Sequence, residues 1–264
     1  MERKPQHKNE PLERNIDWDR AAKYYDAFVQ TTFDVPFILE QARRTRGPLL
    51  ELMCGTGRLT LPIAKTGLQV TALDSSRGLL SILRRKLQKT ELPIEIVEAD
   101  VRRFALDRKY PFVLIGFHAF AELLGERARQ QAFASIREHI AERGRFLLTL
   151  HNPPVRAAAV HSQWRVMGLC DLKAGVKLEV SSRWELDRAK TRVTGAQHYR
   201  EIDNNGKTIT ELTLPITFDL VAPDEVYALA EMTGFAVSEV YGNYDGASFE
   251  PSTSPCALFL LQAC

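Results

Sequence analysis

The sequence contains few cysteines, and none of them forms a CxxC motif. The four cysteines stand at positions 54, 170, 256 and 264, a spacing that matches neither a disulfide framework nor a zinc site. We therefore predict reduced thiols and no bound metal. The sequence also lacks an apolar run of the roughly 20 residues that a membrane-spanning helix needs. Residues 1–15 are polar and charged, unlike a secretory signal, and predict a flexible tail on a cytoplasmic protein with no membrane partner.

An excess of one charge sign is also missing. The chain has 35 Lys and Arg against 33 Asp and Glu, which leaves a net charge of +2. Proteins that bind nucleic acid electrostatically carry a clear basic surplus or stripe, so we expect no nucleic-acid partner. The 264 residues, 45% of them hydrophobic, suffice for one α/β domain with an insertion.

Between residues 48 and 150 the sequence alternates short apolar runs with amphipathic segments. The apolar runs lack polar alternation, which is typical of parallel strands buried on both faces. Right-handed crossovers then produce a doubly wound, Rossmann-like α/β sheet, mostly parallel and of seven strands. The predicted strands lie at 48–53, 68–74, 94–100, 110–117, 145–150, 237–242 and 255–263. One predicted helix begins near Asp17, and the other predicted helices lie at 34–44, 59–65, 75–89, 126–142 and 222–235.

The alternation stops after His151. Residues 175–219 hold three long β-rich stretches, separated by a turn near 187–191 and by DNNG at 203–206, a strong hairpin signal. They predict a three-stranded antiparallel meander within an inserted β cap, which is a candidate lid and a candidate homodimer face. The domain division that follows is a tail at 1–15, a core at 16–154, the cap at 155–221 and the last core elements at 222–264.

The most informative segment is a glycine loop, ELMCGTGR, which runs from Glu51 to Arg58 after the first core strand. Open α/β sheets bind ligands at the carboxyl ends of their strands, and glycines there allow the backbone to approach a ligand closely. Asp74 ends the next strand, where a carboxylate can accept hydrogen bonds from both ribose hydroxyls. Asp100 ends the third strand and can accept from an adenine amino group, while the Val101 backbone reads the ring edge.

Two kinds of cofactor compete for such a loop. A dinucleotide fingerprint requires a third glycine, but Arg58, Leu59 and Thr60 follow Gly57. Glu51 would repel a pyrophosphate and would attract the ammonium of a methionine tail. These residues therefore favour S-adenosylmethionine (SAM) over a dinucleotide.

From Tyr24 to Asn152 the chain resembles the class I SAM-dependent methyltransferases, especially those that act on small molecules. The family loop commonly reads E/D-x-G-x-G-x-G; Glu51, Gly55 and Gly57 match it, and Met53 replaces the first glycine. The YYDAF stretch resembles a helix whose tyrosine closes over the cofactor, which implicates Tyr25 and, less directly, Tyr24. The cofactor-binding residues that we predict are Tyr25, Glu51, Cys54, Gly55, Gly57, Asp74, Ser75, Asp100, Val101 and Phe117.

The segment after the fourth strand, GFHAFAELLG, faces the methyl group in this family, which often has Asn-x-x-x-His there. His118 and Glu122 occupy those two positions, and we predict them as catalytic, with His118 orienting the acceptor or taking its proton. An alternative is that His118 only orders the loop. Further candidate contacts to the acceptor are Trp164, Trp184, His198, Tyr199 and Arg200.

The sequence leaves three hypotheses open. The first is a methyltransferase that acts on nitrogen or oxygen of a small molecule. The second is a protein or RNA methyltransferase; the HNPP segment at 151–154 resembles the motif of nucleic-acid amino-methyltransferases but follows the fifth strand and lacks the aromatic residue. The third is a non-catalytic SAM-binding protein, which the replacement of a loop glycine by Met53 suggests.

Overall fold

The computed structural model describes residues 16–189 and 191–264. The predicted tail at 1–15 lies outside the described residues. Within the described ranges, no helix is long and apolar enough to cross a membrane. The chain forms two sheets, one of seven strands and one of four.

The seven-stranded sheet confirms the predicted Rossmann-like core. The core strands are β1 (Leu49–Leu52), β2 (Val70–Asp74), β3 (Ile94–Glu98), β4 (Tyr110–Ile115), β5 (Ile140–His151), β10 (Phe235–Tyr241) and β11 (Cys256–Ala263). Their order in the sheet is β10-β11-β5-β4-β1-β2-β3. The five strands from β5 to β3 pair in parallel, and β11 is antiparallel to both of its neighbours.

Helices cover the sheet, and their apolar faces build the core. The fifth predicted helix ends at His139 rather than at 142, because Ile140 is buried and already pairs with Tyr110 of β4. The helices are α1 (Trp18–Phe28), α2 (Val35–Arg43), α3 (Thr60–Ala64), α4 (Arg77–Leu87), α5 (Glu126–His139), α6 (Pro153–Ala158) and α7 (Pro223–Thr233), with a 3-10 turn at Ala119–Glu122.

The cap differs from its prediction, because it has four antiparallel strands instead of three. The additional strand, β6 (Arg165–Lys173), pairs with β7 (Val176–Leu186) along the edge of the sheet. It was missed because three of its apolar side chains, Val166, Met167 and Leu169, are exposed, so that its sequence does not show the alternation of a half-buried strand. The cap strands are β6 (Arg165–Lys173), β7 (Val176–Leu186), β8 (Arg192–Asp203) and β9 (Thr208–Asp219).

The first helix connects the cap to the core. Tyr24 of α1 stacks on Tyr199 of β8, with 5.1 Å between ring centroids, and donates a hydrogen bond to Glu201. On the core side, the Asp19 carboxylate accepts hydrogen bonds from the Ser76 hydroxyl and the Gly78 N–H at the start of α4. Gly78 lets the helices approach, since a Cβ there would lie 2.9 Å from the Asp19 Cα.

The order of the strands fixes where a ligand can bind. From β1 the chain moves outward through β2 and β3, then returns to place β4 on the other side of β1. Such a reversal opens a crevice at the carboxyl ends of the two central strands. The glycine loop follows β1 and the segment with His118 follows β4, so both lie at this crevice.

Candidate active site

A cavity of about 420 Å³ occupies the crevice. This volume falls within the range of roughly 300–1,000 Å³ that is usual for small-molecule sites. Its floor comes from the core, and Trp184, Gln197, Tyr199, Ile216 and Phe218 of the cap strands supply part of its wall. The cavity is therefore shared between the cap and the core.

The glycine loop turns sharply at the end of β1. Met53, Gly55 and Gly57 all adopt positive φ, at 57°, 59° and 82°. Glycine adopts this conformation without steric cost, which explains why the related family has glycine where this chain has Met53. A Cβ on Gly57 would lie 2.4 Å from Leu83 Cδ1, so this glycine also allows the loop to pack against α4.

Asp74 holds two loops together at the mouth of the crevice. Its carboxylate accepts hydrogen bonds from the Gly55 and Ser76 N–H groups, both at 2.8 Å. Asp100 is engaged by Arg102, whose Nε lies 3.0 Å from Oδ2. Both acids line the cavity, and their predicted contacts to ribose and adenine stay predictions.

Glu51 places a carboxyl group beneath the loop. It is only 3% exposed and accepts a hydrogen bond of 2.6 Å from the Thr60 hydroxyl. Burial raises its pKa to about 8, because the charged form has lost its water. A cation beside Glu51 would favour the carboxylate, so the site fits the ammonium group of a methionine tail.

The segment after β4 carries the predicted catalytic pair in a strained backbone. Phe117 and His118 have φ of 52° and 60°, and such left-handed non-glycine residues often cluster at functional sites. His118 Nδ1 is buried without a hydrogen-bond partner in the described structure. Burial lowers the pKa of His118 to about 4, so the ring is neutral at pH 7.

Glu122, on the 3-10 turn, belongs to the same wall. Its Oε2 accepts a hydrogen bond of 2.9 Å from Trp18 Nε1 of α1. Burial raises the pKa of Glu122 to about 7, near the value at which a carboxyl group can exchange protons at neutral pH. The cavity therefore holds a neutral imidazole and a carboxyl that titrates close to pH 7.

Most of the predicted site residues line this one cavity. Gly57 does not; its space is filled by Leu83. Of the cap residues, Trp184 and Tyr199 line the cavity, whereas Trp164, His198 and Arg200 do not. The lining residues from the predicted set are Tyr25, Glu51, Cys54, Gly55, Asp74, Ser75, Asp100, Val101, Phe117, His118 and Glu122.

Sequence reasoning missed several residues of the wall. Arg58 makes a bidentate ion pair with the fully buried Asp34 and lies over the Phe117 ring at 4.2 Å, a long-range contact that no spacing signals. His151 lies at the end of β5 and stacks on His118. A polar residue at a strand end marks a ligand site in this fold, so His151 could have been predicted. Arg156 on α6 was also missed.

The sheet order, with an acid beneath a glycine loop and acids after the next two strands, agrees with the Rossmann-like fold of SAM-dependent methyltransferases. Residues 49–144 match the family described as methyltransferase domain. Residues 49–144 therefore carry a methyltransferase domain, and SAM-dependent methyltransferases share the fold, which confirms the family and cofactor predicted from the sequence.

Curated relatives agree with this class. A protein of Geobacillus sp. strain WCH70 named as a methyltransferase is 28% identical over 128 residues, which cover 48% of this chain and 51% of that protein. The chain thus matches about half the length of this relative. The cypemycin N-terminal methyltransferase of Streptomyces sp. is 25% identical over 206 residues, 78% of each protein.

Solved structures share the architecture over nearly the whole chain. SAM-bound CalS10, an amino pentose methyltransferase of Micromonospora echinaspora, superposes with a TM-score of 0.68 at 19% identity, and the match covers 98% of this chain and 100% of that one. The glycopeptide N-methyltransferase MtfA complexed with SAM has a TM-score of 0.56 at 25% identity, with 89% of this chain and 96% of that one covered.

Proposed function

We propose that the protein transfers a methyl group from SAM to a nitrogen atom of a small molecule. The observation that carries this proposal is that the neutral imidazole of His118 and the acid beneath the glycine loop line one cavity. MtfA is a glycopeptide N-methyltransferase, the cypemycin enzyme methylates an N-terminus and CalS10 acts on an amino pentose, which supports nitrogen rather than oxygen as the acceptor.

The cofactor site is the part of the cavity next to the glycine loop. Glu51 would hold the methionine ammonium, and the Asp74 carboxylate, already fixed by two backbone N–H groups, would receive the ribose hydroxyls. Asp100 and Val101 would contact the adenine. When bound, SAM supplies a methyl carbon that the acceptor lone pair attacks in line, with S-adenosylhomocysteine as the leaving group.

His118 is suited to orienting the acceptor. The neutral imidazole of His118 lines the cavity, where a ring nitrogen could accept a hydrogen bond from an amine N–H and so direct the nitrogen lone pair. Its pKa of about 4 makes it a weak base, and a hydroxyl acceptor would need a stronger one. Glu122, with its pKa raised by burial to about 7, is the better group to receive the proton that an ammonium acceptor loses.

The same cavity limits what can be methylated. Its wall includes Trp184, Phe218 and Ile216 of the cap, so the acceptor nitrogen must enter between the cap and the core. A small molecule or a chain end fits such an enclosed site better than an internal position on a folded macromolecule.

Two measurements test the proposal. Calorimetry with SAM is expected to show one binding site per chain. The absence of SAM binding would contradict the proposal. Transfer of tritium from methyl-labelled SAM in a cell extract is expected to label the metabolite fraction. Label recovered only in protein or RNA would instead support the alternative of a macromolecular acceptor.

We also propose that the protein forms a homodimer through the edge strand β6. Among the described strands β6 pairs with β7 alone, and it exposes Val166 and Leu169. Antiparallel pairing of two copies about Gly168 would bring Arg165 opposite Asp171 and so match opposite charges. Sedimentation equilibrium is expected to show that the wild-type protein is a dimer and that the Leu169→Lys variant is a monomer. A monomeric wild-type protein would contradict the proposed dimer.

A further inference from the structure

Three arginines line the cavity, and they differ in their partners. Arg58 is paired with Asp34, and Arg102 is paired with Asp100. The guanidinium of Arg156, on α6, has no acidic partner and no hydrogen-bond acceptor among residues 16–189 and 191–264. It therefore contributes an uncompensated positive charge to the wall.

The aromatic residues of the cap fix the position of the Arg156 head. Its Cζ lies 5.1 Å from the centroid of the Phe218 ring and 5.5 Å from that of Trp184. Both rings are buried. Stacking on an aromatic ring uses the flat face of a guanidinium, and the N–H groups lie in its plane. The contact with the two rings thus holds the guanidinium at the cavity wall without using its N–H donors in a hydrogen bond to protein.

The surroundings of Arg156 are poor in water. Burial lowers the pKa of Arg156 below its ordinary value. Burial also lowers the pKa of His151, and electrostatic interactions with His118, when that ring is protonated, and with Arg156 add to that effect. Arg156 therefore acts on the same space as the two stacked imidazoles, and a charge that has lost part of its hydration there is stabilised by an opposite charge.

We infer that Arg156 binds an anionic group of the methyl acceptor, a carboxylate or a phosphate, beside Trp184 and Phe218. This inference rests on the proposed function, since it takes the anionic molecule to be the acceptor. The flat fork of a guanidinium matches the two oxygens of either anion. An acceptor bound in this way would be a small molecule whose amine and anionic group are joined by a short, partly apolar linker.

Binding can be measured without knowing the acceptor. With S-adenosylhomocysteine filling the cofactor site, calorimetry would compare benzoate, phenyl phosphate and the uncharged benzamide. At least one anion is expected to bind about tenfold or more tightly than benzamide, and the stronger of the two anions identifies the group. Arg156→Met is expected to abolish the preference, and Arg156→Lys to retain part of it.

Arg183→Met is the matched control. Arg183 also lies over a tryptophan ring, Trp164, at 5.4 Å, but it does not line the cavity. This variant is expected to keep the preference of the wild type for the anion. If Arg156→Met fails to fold, as judged by thermal unfolding, Arg156→Gln replaces it in the same comparison of benzoate, phenyl phosphate and benzamide.

The outcomes separate this inference from the proposed function. Equal binding of the three compounds, or none, overturns the role of Arg156 even if tritium transfer succeeds. An anion preference that Arg156→Met leaves intact also overturns it. Failure to bind SAM would instead remove the proposed function, while the dependence of anion binding on Arg156, measured without S-adenosylhomocysteine, would still be readable.

Discussion

The imidazole rings of His118 and His151 stack with their centroids 4.0 Å apart and an angle of 29° between their planes. His118 follows β4 and His151 ends β5, so the pairing of these two parallel strands brings the rings together. Burial lowers the pKa of both rings below the ordinary histidine value. Two neutral imidazoles can lie face to face without the repulsion that two charged rings would suffer.

Replacing His118 tests the orientation of the acceptor. His118→Ala is expected to lower kcat by roughly 10–100-fold, because the acceptor loses the group that aligns its lone pair, and to change SAM affinity by less than about twofold. Steady-state kinetics and calorimetry measure the two effects. His161→Ala, outside the cavity, is the control. Unchanged turnover in His118→Ala would remove His118 from the mechanism.

Glu51 predicts a pH dependence of SAM affinity. Burial raises its pKa to about 8 in the empty site, and a bound ammonium favours the carboxylate. Binding at neutral pH must therefore release a proton, and affinity is expected to rise with pH up to about 8, by at most about tenfold per unit. Calorimetry in buffers of different ionisation enthalpy counts the proton. Glu51→Gln is expected to bind SAM more weakly and to release none.

The stability of the empty protein should change in the opposite direction. Because the folded pKa of Glu51 lies above the ordinary value of 4.5, the folded state holds more protons than the unfolded state between about pH 4.5 and 8. The contribution of this group to the free energy of unfolding therefore falls as pH rises through that window. Denaturation of wild type and Glu51→Gln across this range measures it. Parallel curves for the two proteins would contradict the raised pKa.

The sequence predicted the core and its cofactor residues because their signals are local. Glu51, Gly55, Asp74 and Asp100 each stand at or just after the end of a strand, and the periodicity of the chain locates those ends. The Asp74 carboxylate also accepts a hydrogen bond from the Gly55 N–H, so the strand-end acid and the glycine loop that the sequence predicted are in direct contact.

The acceptor side of the cavity could not be predicted in the same way. Arg58 and Asp34 are 24 residues apart, and Trp18 and Glu122 are 104 apart. Such pairs arise from the packing of α1 and α2 on the sheet and leave no pattern in the sequence. The exposed apolar face of β6 hid a strand for a related reason, since alternation is visible only where one face is buried.

Gly57 and Gly67 form a matched pair that tests the loop. Both have positive φ, 82° and 91°, but a Cβ on Gly57 meets Leu83 whereas a Cβ on Gly67 meets nothing within 4 Å. Gly67→Ala is expected to cost about 1 kcal/mol from backbone strain alone, and Gly57→Ala about 2–3 kcal/mol because Leu83 is fully buried and must move. Urea denaturation measures both. Equal losses would show that the contact with Leu83 is relieved without cost.

The last prediction concerns the joint between core and cap. Arg129 of α5 donates from Nη1 to Asp219, at the end of β9, over 2.7 Å, and from Nε to Glu225 over 2.5 Å. Arg129 and Asp219 are 5% and 7% exposed. Although burial raises the pKa of Asp219, hydrogen bonds from Arg192, Gly125 and Arg129 hold it below its ordinary value. The carboxylate therefore depends on its donors.

Arg129→Met is expected to lower the free energy of unfolding by about 3 kcal/mol, because the buried Asp219 carboxylate then keeps only the half-exposed Arg192 as a cation. The double variant Arg129→Met/Asp219→Leu should recover part of this loss, since an apolar pair can replace a buried ion pair. Arg77→Met is the control: its ion pair with Glu98 lies on the surface, and its removal should leave the unfolding curve unchanged. If Arg129→Met unfolded at the same urea concentration as Arg77→Met, this ion pair would not be what secures the end of β9 to the core.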